Sequence, residues 1–116
     1  MQRDPRAFLW DVRRSADAIA RYIGDRDRES YLADDMLRSA VERQFEIIGE
    51  ALAGLRRADP PAAARIPDLS RIIAFRNVLI HGYATIDARL VWGVVENDLD
   101  GLRAAIAQLL GSALGP

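Results

Sequence analysis

Apolar residues recur at steps of three and four along most of this chain, and no stretch alternates as a half-buried strand would. Phe8, Leu9, Val12, Ala16, Ile19, Ala20 and Ile23 form one stripe, which predicts a first helix from Pro5. Asp4 and Pro5 suit its cap and first turn, and Gly24 with the charged run Asp25-Arg26-Asp27-Arg28-Glu29 ends it. A longer helix is predicted from near Ser30 to about Arg57, with Leu37, Val41, Phe45, Ile48, Leu52 and Leu55 on its stripe. Asp59-Pro60-Pro61 breaks it, because proline lacks the amide and crowds the preceding turn. Residues 58–67 are left as the one loop of any length.

A third helix is predicted after Pro67-Asp68, with Leu69, Ile72, Ile73, Arg76 and Ile80 on one face. Gly82 suits its end, since glycine tolerates the left-handed conformation that closes many helices. A fourth follows Asp87, a natural cap, and carries Leu90, Val91, Val94, Val95, Leu99, Leu102, Ala105, Ile106, Leu109 and Leu110. It fades in the small residues from Gly111 to Pro116. The expected fold is all-α: an antiparallel four-helix bundle with room for an extra short helix. Residues 1–116 read as one domain, with 110–116 as a frayed tail.

Composition narrows the chemistry. The chain has no cysteine and one histidine, which removes thiolate sites and most histidine-based metal sites, so no metal or cofactor is expected. Sixteen basic residues against 17 acidic ones leave a net charge of −1, which is not the footprint of a protein that coats nucleic acid. Any nucleic-acid chemistry must come from a local site. All the basic residues are arginine, spread along the chain as a coding bias would leave them. The absence of a long apolar stretch or an apolar N-terminal segment gives a cytoplasmic expectation with no membrane partner.

One stretch is unlike scaffold: Phe75-Arg76-Asn77-Val78-Leu79-Ile80-His81-Gly82-Tyr83. It places an arginine on an apolar stripe, which is costly unless the charge is paired or faces a cleft. Arg76 and Tyr83 are two turns apart and would project alike if the helix persisted. His81 lies about 140° round an ideal helix from Arg76, so the two do not converge within one straight helix. Fraying at Gly82 or a second copy of the chain would bring them together. At a helix C-terminus the dipole favours a cation, so His81 is expected to hold its proton more tightly and to work near neutral pH. Arg76 would supply fixed charge for a phosphoryl group. On spacing alone, a histidine that merely caps the helix is the better fit.

Other residues carry two readings each. Asn77 could hold a phosphate or His81, or bond a nearby carbonyl. Arg43, Glu46 and Glu50 share a face of the second helix, as a carboxylate pair for acid–base work or as ion pairs within the helix. Glu96, Asp98 and Asp100 read as a solvated acidic face rather than a metal site. Trp10 and Trp92 suit core or dimer packing better than base stacking. Tyr22 and Tyr31 have no distinguishing context.

The stretch resembles the signature of HEPN domains, in which an arginine, a polar residue and a short spacer lead to a histidine. Arg76-Asn77 and His81 fit with four residues between arginine and histidine, and Gly82-Tyr83 matches the Arg-x4-His-x-Tyr form of HepT-like toxins. Ala40-Val41-Glu42-Arg43, Glu46-Ile47-Ile48-Gly49-Glu50-Ala51, Ile66-Pro67, Asp87 and Val91-Trp92 look like further landmarks of that family, across most of residues 8–110. Asp68 stands where such proteins often carry tryptophan, which touches packing and not the signature.

The resemblance implies a helical bundle that forms a homodimer, with the motifs of two subunits lining a shared cleft. It implies a metal-independent RNase and toxin acting on RNA, with Arg76 and His81 catalytic and Asn77 and Gly82 supporting. It also implies an MntA-like nucleotidyltransferase antitoxin that silences the toxin by transferring AMP to Tyr83. One histidine per chain is consistent with a paired site, since metal-free cleavage needs both a base and an acid. A different class stays open: a helical adaptor without catalysis that presents Tyr83 to a nucleotidyltransferase.

Overall fold

A computed structural model describes residues 3–82 and 86–114, with side chains to Gly111. Six helices and no strand occur among the described residues: α1 (Pro5–Ile23), α2 (Arg28–Ala33), α3 (Asp35–Ala58), α4 (Pro60–Ala63), α5 (Leu69–His81) and α6 (Ala88–Leu114). The four long helices are the expected bundle, and two short ones accompany them. No described helix is long and apolar enough to cross a membrane.

Aspartates decide most helix starts. The Asp4 carboxylate accepts from the Arg6 amide, and Pro5 fills the first turn of α1. Gly24 closes α1 at φ +54°, where a side chain would be strained. The predicted second helix divides in two at Asp34, whose backbone is extended at φ −114° and ψ 99°. Its carboxylate accepts from the Leu37 amide at 3.0 Å and from Arg26 at 2.8 Å. A side chain that bonds the next turn competes with the continuing helix, and here it wins. The expected loop at 58–67 contains α4, because Asp59 caps the Ala62 amide and a proline at the first position is already set for a helix. Gly82 ends α5 at φ −104°, so crowding rather than handedness is the reason for glycine: a Cβ there would stand 2.7 Å from the Val78 carbonyl oxygen. At the other end, α6 keeps helical backbone past Gly111 to Leu114.

α3 is the spine. It packs against α1 on one side and α5 on the other, and α1 also lies along α6. Val12, Ile19, Val41, Phe45, Ile48, Leu52, Leu102 and Ile106 are buried between them. Phe45 meets Phe75 edge-on at 5.5 Å, which fixes the rotation of α5 on α3. Tyr31 is wholly buried against Trp92 at 5.4 Å, so the tyrosine without sequence context is the anchor of α2 on α6. Trp92 meets the core expectation. Trp10 does not belong to this chain's core: it is 42% exposed beneath Arg13, whose guanidinium lies 5.4 Å from the ring.

The acidic stretch of α6 is not one solvated face. Glu96 and Asp100 are exposed, but Asp98 is buried and receives two bonds from Arg71 of α5, at 2.6 and 3.0 Å. Beside this pair, Ile72, Phe75, Val78, Leu90 and Val94 line an open apolar groove of about 250 Å³ between α5 and α6.

Candidate functional site

Arg76 to His81 lie on the last two turns of α5, whose buried residues are Ile72, Ile73, Phe75 and Leu79. Ile80, expected on the same stripe, is 41% exposed. Arg76 lies at the edge of the stripe, with its side chain 21% exposed. Its stem rests on α3 at Gly49, where a Cβ would stand 2.4 Å from Cβ of Arg76, 3.0 Å from Cγ and 3.2 Å from Cδ. The glycine thus lets two backbones approach closely enough to carry an arginine between them.

The guanidinium emerges from this seat into two acceptors. Asn77 Oδ1 accepts from Nε at 3.3 Å and from Nη2 at 2.9 Å. Glu50 Oε2 accepts from Nη1 at 2.6 Å. The charge is paired, as an arginine beside a core must be. Asn77 therefore bonds the arginine, and among the described residues it makes no bond to His81.

His81 is the last residue of α5 and is exposed. Among the described residues its imidazole makes no hydrogen bond or ion pair. Gly82 follows as the cap, and its amide donates to the Val78 carbonyl. Tyr83 lies outside the described residues. Within one chain Arg76 bonds Glu50 of α3 and its neighbour Asn77, and no hydrogen bond among the described residues joins it to His81.

A shallow groove of about 210 Å³ is lined by Arg43, Glu46, Ile47, Ile80 and Glu50, the partner of Arg76. Arg43 and Glu46 are 3.8 Å apart as a pair within α3. Glu50 departs from that reading, because it reaches across to α5 instead. Burial pushes the nearby Glu42 carboxyl up, against the pull of Arg38 and with help from Glu46. Among the described residues no three of histidine, cysteine, aspartate or glutamate gather as metal ligands would.

A family model described as Ribonuclease HepT-like matches residues 12–109. The chain belongs to the HepT-like ribonuclease family. A protein of Methanocaldococcus jannaschii that bears the name Putative RNase is 32% identical over 105 residues, covering 90% of this chain and 95% of that one. The Probable ribonuclease HepT of Thermococcus cleftensis is 29% identical over 111 residues, covering 94% and 98%. A longer M. jannaschii protein, named Gamma-glutamylcyclotransferase and putative RNase, is 29% identical over 110 residues, which cover 95% of this chain and 49% of that one. No solved structure matches.

Sequence reasoning named Arg76 and Asn77 but not what holds them. Two signals were there. Gly49 is a glycine in the middle of a long predicted helix, which marks close approach. Glu50 stands immediately after it, on the turn that Arg76 must cross.

Proposed function

We propose that this HepT-like protein is the toxin of a toxin–antitoxin pair, a cytoplasmic, metal-independent endoribonuclease whose site is completed by a second copy of the chain. What carries the reading is the combination on α5 of a seated arginine, whose partner Glu50 lines a groove, with an exposed histidine at the helix end that has no bonded partner among the described residues. One chain supplies one imidazole. Cleavage through the 2′-hydroxyl needs two proton carriers, so two subunits related by a two-fold axis supply them.

In this mechanism the neutral His81 of one subunit takes the proton of the 2′-hydroxyl. O2′ then attacks phosphorus, the bond from phosphorus to O5′ breaks, and the protonated His81 of the partner subunit gives its proton to O5′. The products are a 2′,3′-cyclic phosphate and a 5′-hydroxyl. Arg76 holds the phosphoryl oxygens, whose charge grows in the transition state. Asn77 holds Arg76, and Gly82 lets the chain turn directly after the histidine. Val78, Ile80 and Leu90 are exposed apolar residues around the motif, a surface suited to a second copy.

Control runs through Tyr83 and an MntA-like nucleotidyltransferase. Each AMP joined to the phenol adds a phosphodiester charge and a bulky base two residues from His81, which repels an incoming RNA backbone. Mass spectrometry of the chain after incubation with such an enzyme and ATP should show AMP adducts that Tyr83→Phe lacks. The nuclease is tested by incubating purified protein with RNA and a chelator. Cleavage by the wild type, lost in His81→Ala and Arg76→Ala with helicity intact, supports it. Native-rate cleavage by either variant overturns the assignment, and no cleavage by any form favours the adaptor.

A further inference from the structure

A guanidinium has five N–H groups. In Arg76 three are directed at described acceptors: Nε and one of Nη2 at Asn77, and one of Nη1 at Glu50. Among the described residues, one N–H on each terminal nitrogen has no acceptor. Two such groups are what a phosphoryl oxygen pair accepts in a forked contact. The two acceptors stand on different helices and take different nitrogens, so they restrain the orientation of the guanidinium and not merely its charge.

Exposed ion pairs usually contribute little, because two long side chains must be immobilised to make them. Glu50 is 68% exposed and would ordinarily fall in that class. Arg76 changes the balance. Its stem is already confined between α5 and Gly49, so the freedom that an exposed arginine loses on pairing is lost here before the carboxylate acts. Gly49 and Glu50 are consecutive: one residue seats the stem and the next takes the head. The fold has little need of the pair for stability, since Phe45, Phe75 and Leu79 already fasten α5 to the core.

We propose that Glu50 is a positioning residue: with Asn77 it fixes the Arg76 guanidinium so that its remaining pair of N–H groups meets the scissile phosphodiester. This rests on the nuclease reading above. Glu50 touches no substrate in it and acts through Arg76 alone. Its removal leaves the arginine charged but free to turn about its terminal bonds.

Two measurements on the full chain test this. In nitrogen-15 spectra of arginine side chains, the Arg76 signals are those absent from Arg76→Lys. The wild type should show its two terminal nitrogens as separate, slowly exchanging signals. Glu50→Ala should merge them, and Glu50→Gln, which keeps an oxygen acceptor, should keep them apart. In cleavage of an unstructured RNA oligonucleotide, Glu50→Ala should lower kcat about tenfold with little change in KM and no change in melting temperature, and Glu50→Gln should recover most of the rate.

Unaltered Arg76 signals in Glu50→Ala overturn the proposal, and so does an unchanged or faster kcat. A faster rate would mean that the carboxylate competes with phosphate. If the wild type cleaves no RNA, the nuclease reading fails, and the spectra alone decide whether Glu50 holds the arginine.

Discussion

A methyl group placed on Gly49 would stand 2.4 Å from Cβ of Arg76, closer than two carbons on neighbouring helices can approach. The obstructing atom is fixed to the α5 backbone, so no rotamer change relieves it. Gly49→Ala should therefore move α5 outward. The expected cost is about 1–3 kcal/mol, with RNA cleavage falling further than stability alone explains. Gly54→Ala is the control. There the nearest atom, also at 2.4 Å, belongs to the ring of Phe8, which is only partly buried and can swing. The gain in helix propensity offsets the crowding, so Gly54→Ala should melt near the wild type and keep its activity. Thermal melts beside cleavage rates check both.

The two ends of the Arg71–Asp98 pair should respond unequally. Asp98 has a side chain 6% exposed, whereas Arg71 is 57% exposed. Arg71→Ala leaves a buried carboxylate without its partner, the costlier error. Asp98→Ala leaves an arginine that water and Asp68, 3.1 Å away, can still serve, so it should cost less. Urea unfolding of the two variants should rank them in that order; equal costs would mean that burial of Asp98 is not what matters.

Acid should loosen the helix starts. Backbone and side-chain bonds from Ser30 hold the Asp27 carboxyl below its ordinary value of 3.8. The Leu37 amide and then Arg26 do so for Asp34, and the Arg89 side chain and amide for Asp87. A carboxyl that is more acidic in the folded chain binds fewer protons there than in the unfolded one. Its contribution is complete above about pH 4 and is lost as pH falls through the folded value. Glu42 has the opposite sign. Its raised carboxyl favours the folded state when protonated, so charging it costs stability as pH rises past the ordinary value of 4.5. Melting temperature against pH should fall steeply below pH 4 in the wild type and less steeply in Asp34→Asn. Glu42→Gln should melt above the wild type at pH 7 and match it in acid.

These caps also show where the sequence was legible. Periodicity carried the four long helices, and Pro60-Pro61 carried the break between the second and third. The interruption at Asp34 was hidden because Ser30 to Arg57 keeps a helical stripe straight through it; only the competition between carboxylate and backbone stops the helix. At the site, Arg76 stood out because a charge on an apolar stripe is anomalous along one chain. Its partner Glu50 did not, because 26 residues separate them and a glutamate on a helix surface already has local arginines to suggest. Long-range pairs of this kind depend on how α5 rotates against α3, and that is fixed by the contact of Phe45 with Phe75 rather than by either charge.

Tyr31→Phe should stabilise the chain. The tyrosine is wholly buried, and its hydroxyl has no hydrogen-bond partner among the described residues. Burial pushes the phenol up, and the charge of Glu42 adds to this. A buried hydroxyl without a partner costs about 1–3 kcal/mol in lost hydration. Phenylalanine keeps the ring and its 5.4 Å contact with Trp92 while removing that cost. The gain should be about 1 kcal/mol, since the space left by the oxygen takes back part of it. Urea unfolding decides the point: a loss of stability in Tyr31→Phe would show that the hydroxyl is hydrated or bonded in solution.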